Sequence, residues 1–266
     1  RKHGACTRAA RARAARADDA LGAFCGRRRP RRPGSRPEGA RGREGGRPAR
    51  LPSRVDEAII AQVNVFISRG DLVAAVSRCE QIVASSTDAR MRGIALQNLG
   101  TIHAQNGQIL TAERAFRESL GNFHKADYPR GEAIALNNLG RLSLDKGDAA
   151  GAVTLLEQAH QRARDVEDLE LVGLTGLNIA WAYCASGGDL ERAQDLAMSA
   201  MGYFSGCNNH YREIECLRLI GEINERCQDA ANAERCYECA LRLAEEIGSE
   251  VEVRATTDRL ARLRGS

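Results

Sequence analysis

Five alanines recur at a fixed distance behind five chain-reversal signals, and this register constrains the chain more than any other feature. The signals are Gly70-Asp71, Gly107-Gln108, Gly147-Asp148, Gly188-Asp189 and Gln228-Asp229, spaced 37, 40, 41 and 40 residues apart. Glycine suits the left-handed residue that follows a helix, and aspartate accepts hydrogen bonds from the free N–H groups that open the next one. Five residues after the first member of each pair stands Ala75, Ala112, Ala152, Ala193 or Ala233. Where one helix crosses another closely, no larger side chain fits. Four residues further come Cys79, Phe116, Leu156, Ala197 and Tyr237, then three further Ile82, Ser119, Ala159, Ala200 and Ala240. These offsets put one packing face on each second helix.

The segment Ile94 to Leu120 gives the unit in full. Its first helix carries Leu96, Leu99, Ile102 and His103 at helical spacing and breaks at Asn106-Gly107; its second carries Ala112, Phe116, Ser119 and Leu120. A two-helix hairpin cannot bury both faces alone, so its recurrence predicts a stacked array. Composition agrees: 43% of residues are hydrophobic but only 4% aromatic, so small residues must do much of the packing. Close helix contact through alanine favours an all-α array over a sheet protein.

The net charge of +4 sums two unlike pieces. Residues 1 to 54 hold 17 Lys/Arg against 4 Asp/Glu, and the remainder 22 against 31, so +13 gives way to −9 near Arg54. Five of the six prolines also lie before Arg54, with almost no large apolar side chain. Burial there would not offset the entropy of ordering, so residues 1–54 are read as a disordered Arg/Gly/Pro/Ala-rich tail, with at most a short helix around Arg8 to Phe24. A nucleic-acid-binding arm, an organelle transit peptide and a self-docking tail are the functional readings. Against them, 16 of the 17 basic residues are Arg and position 1 is not Met, as in GC-rich sequence translated upstream of a native start or in a cloned fragment.

Nine cysteines without an apolar N-terminal signal segment predict a reducing, cytoplasmic setting. Cys216, Cys227, Cys236 and Cys239 cluster in sequence, and Cys236 and Cys239 have ligand-like spacing. Cys216 and Cys227, however, would lie about 16 Å apart along one helix, whereas Zn–S bonds of about 2.3 Å require adjacent sulfurs. Buried thiols are expected, with no metal and no cofactor. The stretch between Glu170 and Asp189 holds 18 residues without a charge, but its register is that of a repeat helix, so it is read as a central helix and no membrane span is expected. His3, His103, His124, His160 and His210 are scattered, and no nucleophile elbow, phosphate loop, dinucleotide fingerprint or zinc-protease helix occurs. No enzyme is expected.

Leu99-Gly100, His103, Gly107, Ala112 and Phe116, and again Leu139-Gly140, Gly147, Ala152, Leu156 and Ala159, resemble the tetratricopeptide repeat (TPR) from Val55 onward. The period of about 40 looks like the long variety found in kinesin light chain, in bacterial peptide-sensing regulators and in the sensor regions of bacterial transcription activators. The resemblance implies a right-handed α-solenoid of about five hairpins over 55–266, with repeats 55–87, 88–127, 129–167, 169–207 and 209–248 and a capping helix 250–264. The cap would turn Val251, Val253, Leu260 and Leu263 inward. Repeat one lacks the Leu-Gly pair and Gln228 replaces glycine in repeat five, as terminal repeats allow.

In such a fold the first helices line the concave face. Counted from the start of each, positions 2, 6, 9 and 13 share a stripe. Position 6 reads Asn98, Asn138, Asn178, then Leu219. Asparagine is a poor helix former whose amide still needs partners, and one acceptor with two donors matches an extended peptide backbone. The series resembles the asparagine ladder in the repeat domain of the O-linked N-acetylglucosamine transferase, which implies a sequence-independent grip on a peptide main chain. The competing reading is that each asparagine bonds to a neighbouring helix. Selectivity would come from Gln97, Asn137, Leu177 and Arg218 at position 5, Thr101, Arg141, Trp181 and Glu222 at position 9, and Gln105, Asp145, Ala185 and Arg226 at position 13. Trp181 with Arg141 forms a candidate hot spot; Trp181 equally suits the gap left by Gly173 and Gly176.

Two functions follow. One is a non-enzymatic interaction scaffold or adaptor that binds a protein or peptide segment in its groove; nucleic acid would enter only through the basic tail. The other is the sensor region of a bacterial transcriptional or signalling regulator whose output domain lies outside this chain.

Overall fold

The structure is a computed structural model that describes residues 54–265. The tail expected over 1–54 therefore lies outside the described residues, apart from Arg54. Every regular element among the described residues is α-helical: α1 (Arg54–Ser68), α2 (Leu72–Ser85), α3 (Ala89–Gln105), α4 (Ile109–Lys125), α5 (Pro129–Asp145), α6 (Ala149–Asp165), α7 (Leu169–Ser186), α8 (Leu190–Gly206), α9 (His210–Arg226), α10 (Ala230–Glu246) and α11 (Glu250–Gly265). The chain forms two compact units that meet in sequence between Gly188 and Asp189, within the expected repeat 169–207.

In residues 54–188, each helix packs on the next, and α1, α3, α5 and α7 also touch in series. Short loops make neighbours antiparallel, so these four odd-numbered helices run in one direction. In residues 189–265, α8 packs on α9, α9 on α10 and α10 on α11. This is a TPR-like helical repeat fold.

Burial bears out the packing register. Ala75, Ala112, Ala152, Ala193 and Ala233 are all 0% exposed, and the ten residues that follow them at the second and third offsets are buried too. Ser119, the polar member of that set, donates to the Gly93 carbonyl at 2.8 Å. The facing helices leave equally little room. A Cβ on Gly100 would stand 2.5 Å from the Phe116 ring, and one on Gly140 2.5 Å from Leu156. Each Leu-Gly pair is thus a notch that receives a large side chain from its own hairpin.

The turns follow the expected chemistry with two exceptions. Asp71, Asp148, Asp189 and Asp229 each accept a backbone N–H of the following helix. Gln108 makes no such cap; its Oε1 accepts from His103 Nδ1 at 2.5 Å. In the fourth turn the left-handed residue is Gly187 (φ 66°) rather than Gly188: it keeps the place relative to its helix start that Gly107 and Gly147 have, and Gly188 is an extra residue before the cap Asp189. Gln228 adopts φ 62° in the fifth, a conformation that costs a non-glycine residue about 1 kcal/mol or more.

Helix α11 closes its unit through Leu260, which packs with Ala233, Tyr237, Leu241 and Leu263. Val251 is 76% exposed, contrary to the expected inward stripe. Residues 253, 256, 260 and 263 lie on one face at helical spacing, and Val251 falls about 200° from Val253 around the helix.

Candidate functional site

The residues assigned to the stripe fall on α3, α5 and α7, which touch in series. On α3 it runs Ile94, Asn98, Thr101, Gln105; on α5, Ile134, Asn138, Arg141, Asp145; on α7, Leu174, Asn178, Trp181, Ala185. These i, i+4, i+7, i+11 offsets fall on one helical face. Because the three helices are parallel and touch, the stripes form four lanes that cross them.

In the first lane Ile94, Ile134 and Leu174 are half-buried, each packed on a buried cluster while part of it remains accessible. Sequence reasoning placed position 2 on the stripe without assigning it a role; its signal was an apolar residue recurring beside polar ones. The third and fourth lanes are the open ones. Thr101, Arg141, Gln105, Asp145 and Ala185 are exposed and Trp181 is half-buried. Among the described residues no carboxylate pairs with Arg141. The lane neighbours of Arg141 are Thr101 and Trp181.

The asparagine lane is not uniform. Asn98 and Asn138 are half-buried, and no hydrogen bond joins either amide to another described residue. Asn178 is only 4% exposed, and its Nδ2 donates to the Asn137 Oδ1 at 2.7 Å. Asn137 is itself 3% exposed. These two expected ligand contacts are therefore bonded to each other across α5 and α7. At position 5 of α3, Gln97 is half-buried and its carbonyl accepts from Thr101 Oγ1 at 3.0 Å.

Arg218 belongs to residues 189–265, where the corresponding stripe is tied up in ion pairs. It pairs with Glu252 at 2.6 Å, and Arg259 reaches Glu222 at 2.7 Å, joining α9 to α11. Arg226 contacts Glu222 as well, at 3.4 Å.

Other charged clusters serve helix junctions. Glu132 is buried against both His124 and Arg162, and Arg130 reaches the α7 cap residue Asp168 at 2.7 Å. The Glu113 carboxyl is held below the usual carboxylate range by Lys146 and Arg117. His160 meets Thr175 at 2.9 Å and His210 meets Glu213 at 2.7 Å. Burial pushes the Cys79 thiol up to about 12 and raises Cys216 further, so both stay protonated near neutrality. Among the described residues no group of three or more His, Cys, Asp or Glu is arranged to hold a metal ion. None of their helices is long and apolar enough to cross a membrane.

The fold has solved counterparts. The chain is similar to the apo form of RapI, with TM-score 0.64 and 12% identity over 73% of this chain and 72% of that one. It is similar to BtubC (BKLC) from P. vanneervenii, with TM-score 0.61 and 16% identity over 73% and 81%. The TPR-like repeats of a Podosopora anserina putative kinesin light chain match with TM-score 0.57 and 16% identity over 72% and 95%. At these identities the likeness is one of fold. No protein-family model matches the chain, and no curated protein matches it by sequence.

Proposed function

We propose that this TPR-like helical repeat protein is a non-catalytic interaction scaffold that binds an extended peptide or protein segment across α3, α5 and α7. The observation that carries the reading is the accessible stripe repeated at one register on three parallel helices. Its amides at Asn98 and Asn138 make no hydrogen bond to another described residue, and half-buried apolar groups flank them on one side. A main chain laid over this face offers carbonyls and N–H groups to the two amides, while its side chains meet the apolar lane and the lane of Thr101, Arg141 and Trp181. Trp and Arg are enriched at positions that dominate binding energy. Asn137 and Asn178 support the face from below, and Arg218 has no part in it.

Photo-crosslinking residues placed singly at Thr101, Gln105 and Arg141, with Arg117 and Glu118 on α4 as exposed controls, test the proposal in the source cell. The same partner should be captured from the three stripe positions and not from α4. Equal capture from both sets, or capture from α4 alone, refutes it.

A further inference from the structure

We infer that the occupant of the α3–α5–α7 face is a segment in polyproline II conformation, with an apolar side chain at every third residue and a carboxylate opposite Arg141. This deepens the peptide-binding reading and rests on it.

The first argument is a match of two lengths. Helices in contact lie about 8–10 Å apart, so Ile94, Ile134 and Leu174 repeat at roughly that interval across the face. A polyproline II chain turns once every three residues and rises about 3.1 Å per residue, which returns the same edge to the surface about every 9.3 Å. Each turn thus delivers one apolar group to each helix. In a β-strand, side chains on one side recur about every 6.8 Å and fall out of step after a single helix.

The second argument concerns the backbone. An α-helical ligand with apolar groups seven residues apart would repeat at about 10.5 Å, close enough to fit the first lane. Its carbonyl and N–H groups, however, bond one another. The Asn98 and Asn138 amides, half-buried and with no hydrogen bond to another described residue, would then have nothing to hold. Polyproline II has no internal hydrogen bonds, so its backbone groups remain available at both helices. The withdrawal of Asn178 into its bond with Asn137 limits this grip to α3 and α5. At α7 the contact passes to Leu174 and Trp181.

The third argument is charge. Of the twelve side chains in the four lanes only Arg141 and Asp145 are ionised, and neither has an ion-pair partner among the described residues. A mainly uncharged ligand with one acidic residue over Arg141 complements this surface. A highly charged one does not.

The test uses the full 266-residue chain and two fluorescein-labelled peptides of about 12 residues, long enough at ~3.1 Å per residue to cross three helices. Both contain the same prolines, alanines, leucines and single glutamate. One spaces the leucines every third residue, the other every second. Fluorescence anisotropy should show the first binding about tenfold more tightly. Arg141→Glu should weaken it about fivefold, and a peptide with lysine in place of glutamate should restore the loss. Equal affinity of the two isomers, absence of the charge rescue, or no saturable binding by either peptide each overturns the polyproline II assignment. Capture of a cellular partner at Thr101 and Arg141 would survive all three results, which separates this inference from the reading beneath it.

Discussion

Asn178 and Asn138 have the same repeat position and different surroundings, a difference that originates one residue earlier in α5. Position 5 is buried in α5 and α7, where Asn137 and Leu177 occupy it, and a buried amide without a partner costs about 1–3 kcal/mol. Asn178 supplies that partner at 2.7 Å across a sequence separation of 41 residues. Asn138→Ala should accordingly leave thermal unfolding almost unchanged while weakening ligand binding. Asn178→Ala should lower the midpoint by about 2–4 °C for each kcal/mol lost, because the Asn137 carbonyl oxygen is stranded. The double variant Asn137→Leu with Asn178→Ala should recover part of the loss, since both polar groups are then gone. Circular dichroism melts check all three, and an unchanged melt for Asn178→Ala would show the pair to be dispensable. This pairing was not legible in the sequence. Helical periodicity says which residues share a face, but not whether the helix beside it brings a second amide within reach.

At the scale of the element, the packing face of the second helices was legible because close approach admits a single answer: alanine at the crossing and a notch glycine opposite a bulky side chain. Ala152 has no exposed surface, whereas Ala150, two residues earlier in α6, faces solvent. Ala152→Leu should therefore destabilise the fold by about 1–3 kcal/mol through overpacking. Ala150→Leu, of nearly equal helix propensity, should stay within about 0.5 kcal/mol of the parent. Urea unfolding of the pair measures the difference, and equal midpoints would mean that α6 does not meet its neighbours through this alanine. The returns from second helices to first ones were harder to see. Asp127, Glu167 and Asn208 take the left-handed conformation there, and Gly248 does so before α11. These four positions keep the repeat spacing, but only one is glycine; Asp127 and Asn208 are of the types that enter the left-handed region most readily after glycine, and Glu167 gives no such signal.

For the whole molecule the informative quantity is where charge lies. At Gly188–Asp189 the register gains a single residue, Gly188, and Ala193 keeps the offset of Ala152 from its cap, too small a change for the sequence to mark a boundary between the two compact units. The charge boundary near Arg54 was plain, with +13 before it and −9 after. A partner lying along the four lanes meets one available guanidinium, Arg141. Its affinity should then behave as that of a complex with one ion pair, weakening no more than about fourfold between ~50 and ~200 mM salt. A nucleic acid held by many arginines of residues 1–54 would lose about 10³–10⁵ over the same range. Titrating the cross-linked partner, once identified, against the full chain at the two salt concentrations decides between these modes. A steep loss that disappears when residues 1–53 are removed would assign binding to the basic segment and leave the lanes without a ligand. A shallow dependence retained in the shortened chain and abolished by Asn98→Ala with Asn138→Ala would place the partner on α3 and α5.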